Sequence, residues 1–133
     1  MNRFPFITLK QSIVILRISV ALIFITHAVV RIANGTIAQF AGFLNSKEIP
    51  NSSFVVWGIT VYEIFGSIVL ALGYYTKILS AGFIVMLLVG VILIHASLGW
   101  FVGEHGTGGS EYSFILIISL IVIATSNNKI ETK

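Results

Sequence analysis

Four apolar runs divide the chain, at roughly Ser12 to Ile32, Phe54 to Gly73, Ile78 to Leu98 and Tyr112 to Ser126. About 20 helical residues cross a typical hydrocarbon core, so the first three are long enough to span it. The fourth is the shortest and draws Ser110 and Glu111 into its first turn. The pattern predicts an all-α fold, a bundle of four transmembrane helices, with residues 1–133 forming one membrane domain. Between the first two runs, Ile37, Phe40, Ala41 and Leu44 recur at i, i+3, i+4 and i+7 behind Thr36, a capping residue type. That spacing predicts a short amphipathic helix in the first outer loop, lying on the interface with Phe40 inward. Pro50 closes the segment, and Asn51, Ser52 and Ser53 offer caps for the second span.

Composition sets the solvent. Of the residues 56% are hydrophobic and 10% charged, with mean hydropathy +1.00, whereas soluble domains carry about 25% charged residues. Arg3 and Lys10 ahead of the first run resemble the start of a secretory signal. The run is too long for one and carries Arg17, His27 and Arg31, so a retained span is expected. With four spans, Arg3, Lys10, Lys77, Lys129 and Lys133 share one side, and only Arg31 and Lys47 lie on the other. By the positive-inside rule both termini are cytoplasmic, which suits a bacterial inner membrane. The second outer connection, GWFVGEHGTGGSEY, has no lysine or arginine and either folds back over the bundle mouth or forms a flexible loop.

Much chemistry is excluded. The chain has no cysteine, which removes thiolate nucleophiles, disulfide relays, iron–sulfur clusters and thiolate zinc sites. It has no Walker loop, nucleophile elbow, HExxH or dinucleotide fingerprint, and no metal site is predicted. Its pI near 9.5 reflects membrane anchors, so nucleic acid is not an expected partner.

What remains is an intramembrane polar set. Glu63 sits near the middle of the second run, where an ionised carboxylate costs about 3 kcal/mol or more unless paired or turned to a polar cavity. At about 1.5 Å rise per residue, His95 lies about 5 Å below the outer boundary, His27 about 7 Å, Glu63 about 13 Å and Arg17 about 22 Å. Side chains lean toward a helix N-terminus, which brings Glu63 and the two histidines together and carries Arg17 to the opposite headgroups. A histidine is therefore the expected partner of Glu63. Arg17, His27 and Arg31 fall within about 80° of one helix face. Gly58, Gly66 and Gly73 mark small positions suited to close helix approach. Each residue also has a structural reading: Glu63 as a register device, Arg31 and Lys47 as interfacial anchors, and Trp57, Trp100, Tyr62 and Tyr112 as an aromatic belt.

Arg17 followed by HAVVR (His27 to Arg31), GFLNSKEIP (Gly42 to Pro50), YEIFGS (Tyr62 to Ser67), LGYYTK (Leu72 to Lys77), His95 and GGSEY (Gly108 to Tyr112) together resemble the DoxX-like family of small four-helix membrane proteins. The resemblance runs through nearly the whole chain in order. It implies a four-span bundle with cytoplasmic termini, associated in several members with quinone-linked oxidoreductase complexes. Ala28 stands where the family often has glycine, Arg31 where lysine is usual, and Ser67 in place of a second glycine after Glu63. The match falls on Arg17, His27, Arg31, Glu63, His95, Glu111 and Tyr112.

The combined expectation is a membrane subunit of a quinone-linked oxidoreductase, binding a quinone or similar apolar, carbonyl-bearing molecule toward the outer half of the bundle. Glu63 is its proton-exchanging, catalytic group. His27, His95, Glu111, Tyr112 and Arg31 form the ligand site, and Arg17 is structural or interfacial. His27 or His95 would donate a hydrogen bond to the ring; haem ligation by the pair is a lesser alternative. Electrons would come from a partner membrane or periplasmic subunit, and a homo-oligomer is also open. The competing class is a non-catalytic assembly subunit docking a larger membrane or periplasmic protein; a small transporter is a third.

Overall fold

The chain begins its first helix with two reciprocal hydrogen bonds. Gln11 N donates to Thr8 Oγ1 at 3.2 Å and Thr8 N donates to Gln11 Oε1 at 2.8 Å, a capping box that starts α1, Leu9–Ala33. The structure, a computed structural model, describes residues 4, 6–95 and 110–131, and for 94, 95, 110, 111 and 127–131 only the backbone. After α1 come α2 (Ile37–Ser46), α3 (Ser52–Leu72), α4 (Thr76–Gly90, extended by a π-helical turn Val91–His95) and α5 (Ser110–Glu131). Among the described residues there is no strand.

α3 stops where the backbone is given another way to satisfy its last carbonyls. α3 ends at Gly73, whose φ of +90° is open to glycine and costly to other residues. Gly73 N then bonds Leu70 O at 3.0 Å and Tyr74 N bonds Val69 O at 3.2 Å, the paired bonds of a Schellman ending. Two expected caps take other roles. The Thr36 hydroxyl donates to Arg31 O at 3.3 Å instead of capping α2, and Asn51 precedes α3 in a left-handed conformation without a side-chain cap.

α1, α3 and α4 with its π turn are long and apolar enough to cross a membrane, and α5 carries a shorter apolar stretch, Tyr112–Ser126. The helices start two or three residues before the apolar runs and α3 ends one residue short of its run, while residues 96–98 of the third run and the connection 99–109, with Trp100, fall outside the described residues. α1 packs against α3 on one side and α5 on the other, and α5 packs against α4. The circuit is completed weakly, because α3 and α4 touch each other far less than either touches its other neighbour.

Two apolar clusters hold this arrangement. Val20 and Phe24 of α1, Leu70 of α3, Phe83 of α4 and Leu116, Leu120 and Ile123 of α5 form the larger. Phe24 and Phe83 stack at its centre with ring centroids 4.2 Å apart. The smaller cluster joins Ala41 and Leu44 of α2 to Val56 of α3, with Ile37, Phe40 and Leu93 alongside. On α2, Ala41 and Leu44 are buried, Phe40 is half-buried and Gln39 is exposed.

The three glycines expected at close approaches divide. Gly66 lies against Phe83 and Leu79 of α4 at van der Waals distance. Gly73 is the αL helix end described above, with the Arg17 guanidinium against it. Gly58 faces open space. The tightest approach is at Gly82, where a side chain would collide with the Tyr62 hydroxyl. That hydroxyl crosses from α3 to donate to Leu79 O of α4 at 2.8 Å.

Candidate functional site

Glu63 is buried, 4% exposed, on the face of α3 that meets α1. Its carboxylate is held by Arg31, whose Nη1 lies 2.6 Å from Oε2. The same Nη1 donates to Thr60 Oγ1 at 3.0 Å, and the Thr60 hydroxyl donates to Val56 O at 2.8 Å. Thr60 is one turn from Glu63, so α3 presents an acceptor pair to one guanidinium. The plane of Phe40 covers the other side, its ring centroid 5.3 Å from Arg31 Cζ, a cation–π contact worth about 0.5–2 kcal/mol. The Arg31 backbone carbonyl accepts from both Thr36 N at 3.0 Å and Thr36 Oγ1 at 3.3 Å. The arginine is therefore fixed at both ends, and the buried pair is charge-compensated.

This corrects the expected partner. The lean of side chains toward a helix N-terminus was applied to His27 and His95, yet it acts equally on Arg31, one turn beyond His27 on the same helix. A guanidinium on a three-carbon stem covers the depth that separates Arg31 from Glu63, and its fork suits two acceptors where an imidazole N–H suits one. His27 instead lies parallel to Tyr112 of α5, ring centroids 6.0 Å apart and planes 6° from coplanar, tying α1 to α5. His95 ends the π turn and Glu111 lies in the first turn of α5, and the side chains of both fall outside the described residues. Arg17 is at the far end, where its Nε points to Ala71 O at 3.4 Å in the last turn of α3. A cation there meets the negative end of the helix.

Two cavities flank the pair. One, of about 480 Å³, lies between α3 and α4. Its walls include Val55, Ile59, Val85, Met86 and Leu93, with Phe40 and Leu44 of α2 at one end and Tyr62 among the lining residues. Arg31 and Glu63 give this apolar space its charged wall. The other, about 630 Å³ and more open, runs between α1 and α2 past Thr26, His27, Thr36, Gln39 and Phe43, and it shares Arg31 and Phe40 with the first. Tyr112 lines neither cavity. Sequence reasoning missed Thr60, Phe40 and Gly82 as parts of the site. Thr60, Glu63 and Ser67 at i, i+3 and i+7 are a buried polar stripe that the helical period could have shown.

The family model described as DoxX matches residues 12–96. The chain belongs to the DoxX family. The matched segment contains all but the first three residues of α1 and the whole of α2 to α4, and with them Arg31, Thr60, Glu63 and most of the residues lining the α3/α4 cavity. No curated protein and no solved structure matches the chain. As a DoxX protein it is a helical membrane protein whose buried ion pair sits inside the matched region.

Proposed function

We propose that this DoxX protein is a membrane subunit of a quinone-linked oxidoreductase system, and that the α3/α4 cavity holds a quinone or similar apolar, carbonyl-bearing molecule. The observation that carries the reading is the Arg31–Glu63 pair on the wall of an otherwise apolar cavity of about 480 Å³. Binding sites for small molecules are typically apolar enclosures with a few placed polar groups, and this one has a donor and an acceptor side by side. Among the described residues Arg31 Nε and Nη2 make no hydrogen bond, so a ligand carbonyl has donors available without breaking the pair. Quinone reduction consumes two electrons and two protons. Glu63 is the group that passes protons at the ring oxygen, Arg31 orients that oxygen, and Thr60 keeps the guanidinium in register. Electrons come from a partner subunit carrying a redox centre. In this reading α5 is the fourth span, α2 lies on the outer interface, and both termini are cytoplasmic, following the distribution of lysine and arginine.

The test is retention and rebinding. Protein purified in mild detergent is extracted for mass spectrometry of quinones, then reconstituted in nanodiscs and titrated with quinone using tryptophan quenching. Wild type is expected to bind, Arg31→Ala to lose binding, and Glu63→Gln to remain folded and inserted without supporting quinone-linked turnover in its native complex. Full turnover with Glu63→Gln removes the proton role. Absence of retained or titratable quinone, with a partner protein held equally by wild type and Glu63→Gln, would instead establish an assembly subunit.

A further inference from the structure

The cavity beside Glu63 is partly open, and exposed apolar residues edge it. α3 and α4 are both long and apolar enough to span the membrane, yet they touch little, through contacts located at Tyr62 and on the Gly66 side of it. There the Tyr62 hydroxyl bonds Leu79 O across the seam and Gly66 packs against Phe83 and Leu79. On the other side of that latch the helices separate, and the gap is edged by Gly58 of α3 and by Val85 and Val89 of α4. These edges are outward-facing: Val85 is 60% and Val89 48% exposed, Gly58 is exposed, and a Cβ on Gly58 would meet nothing within 4 Å. Behind the edges lie half-buried Met86, Leu87 and Gly90, and a Cβ on Gly90 would also meet open space. The end of the cavity is covered by α2 through Phe40 and Leu44, so the wide side is lateral.

We infer that the gap between α3 and α4 is a lateral portal from the bilayer, and that its occupant is a membrane-dissolved amphiphile with an uncharged hydrogen-bonding head and one long apolar tail. The head rests against Arg31 and Glu63 and the tail leaves between Gly58 and Val85/Val89. The head is uncharged because the cavity's two ionic groups already neutralise each other, and a further charge would enter an apolar space without a counter-ion. The tail follows from the rim: an apolar chain crossing Val85 and Val89 passes from hydrocarbon to hydrocarbon and exposes no polar backbone, since both walls are helical. A water-borne ligand would have to pass α2 and its apolar cluster. The quinone reading would make the head a ring, but the portal itself does not rest on it.

Gly58→Leu closes the portal in the mildest way available. The position is exposed, helical and free of neighbours, and leucine favours helix over glycine. The first measurement needs no quinone. A fatty alcohol bearing a diazirine beside its hydroxyl is dissolved in nanodisc bilayers and photolysed, and labelled peptides are read by mass spectrometry. Wild type is expected to be labelled at Glu63, Gly58→Leu at least five-fold less, and lipid-facing Ile15 equally in both. No label at Glu63 in wild type, or equal labelling in the variant, overturns the portal. The second measurement titrates a tail-less tetramethyl benzoquinone and a benzoquinone carrying a ten-carbon tail. Gly58→Leu is expected to raise the Kd of the tailed compound at least ten-fold and leave the tail-less one unchanged. Equal weakening of both would put the ring itself at Gly58 and refute the tail route. Binding of neither compound by wild type, with Glu63 still labelled by the alcohol, would remove the quinone reading and leave the portal standing.

Discussion

Replacing Arg31 with methionine isolates the worth of the buried pair, because methionine keeps the stem's bulk and leaves Glu63 alone in an apolar wall. The Glu63 side chain is 5% exposed and that of Arg31 15%, so little of the lost interaction is recovered from solvent. Removing one partner of a buried pair costs about 3–5 kcal/mol, and the accompanying loss of the Phe40 cation–π contact falls within that range. Glu63→Gln is expected to cost about 1–2 kcal/mol, since the amide oxygen still accepts from Nη1 and the remaining guanidinium is the more exposed of the two groups. Arg31→Met combined with Glu63→Gln removes both charges together with their attraction, so the double variant should be about as stable as Glu63→Gln alone. The coupling energy of the cycle is then about 3–5 kcal/mol, the whole cost of Arg31→Met. Unfolding by SDS in mixed micelles, followed by circular dichroism and shown to be reversible, gives the four stabilities. A cost below about 1 kcal/mol for Arg31→Met, or additive single effects, would refute the claim that Glu63 depends on Arg31.

Phe40→Asp removes a ring from both the α2 cluster and the Arg31 guanidinium and should cost about 3 kcal/mol in the same assay, while Gln39→Asp on the exposed side should stay within about 0.5 kcal/mol. Equal effects would remove the inward assignment of Phe40. Tyr62→Phe should cost about 1 kcal/mol by freeing the Leu79 carbonyl, and Gly82→Ala should cost more by displacing the whole ring; a neutral Gly82→Ala would show that the two helices do not close there. For topology, Ser46→Cys should react with an impermeant maleimide in intact cells and Tyr74→Cys only after permeabilisation, the protein having no native cysteine to interfere. The reverse pattern would invert the orientation.

The helices and the identity of the central carboxylate were legible in the sequence because they depend on local quantities. Apolar length, the 3.6-residue period and turn residues such as Gly73 and Pro50 act within one segment. The cost of a charge in hydrocarbon is equally local, so Glu63 stood out without any knowledge of its neighbours. What only the tertiary structure decided is which groups meet. Depth along separate helices placed His27 near Glu63, but the rotation of α1 against α3 and the reach of each side chain gave the carboxylate to Arg31 and turned His27 to Tyr112. Gly58 and Gly66 share a residue type and a helix, yet one edges a gap and the other lies under Phe83. The difference comes from the divergence of α3 and α4 beyond Tyr62, a relation between two helices that no single-segment periodicity encodes.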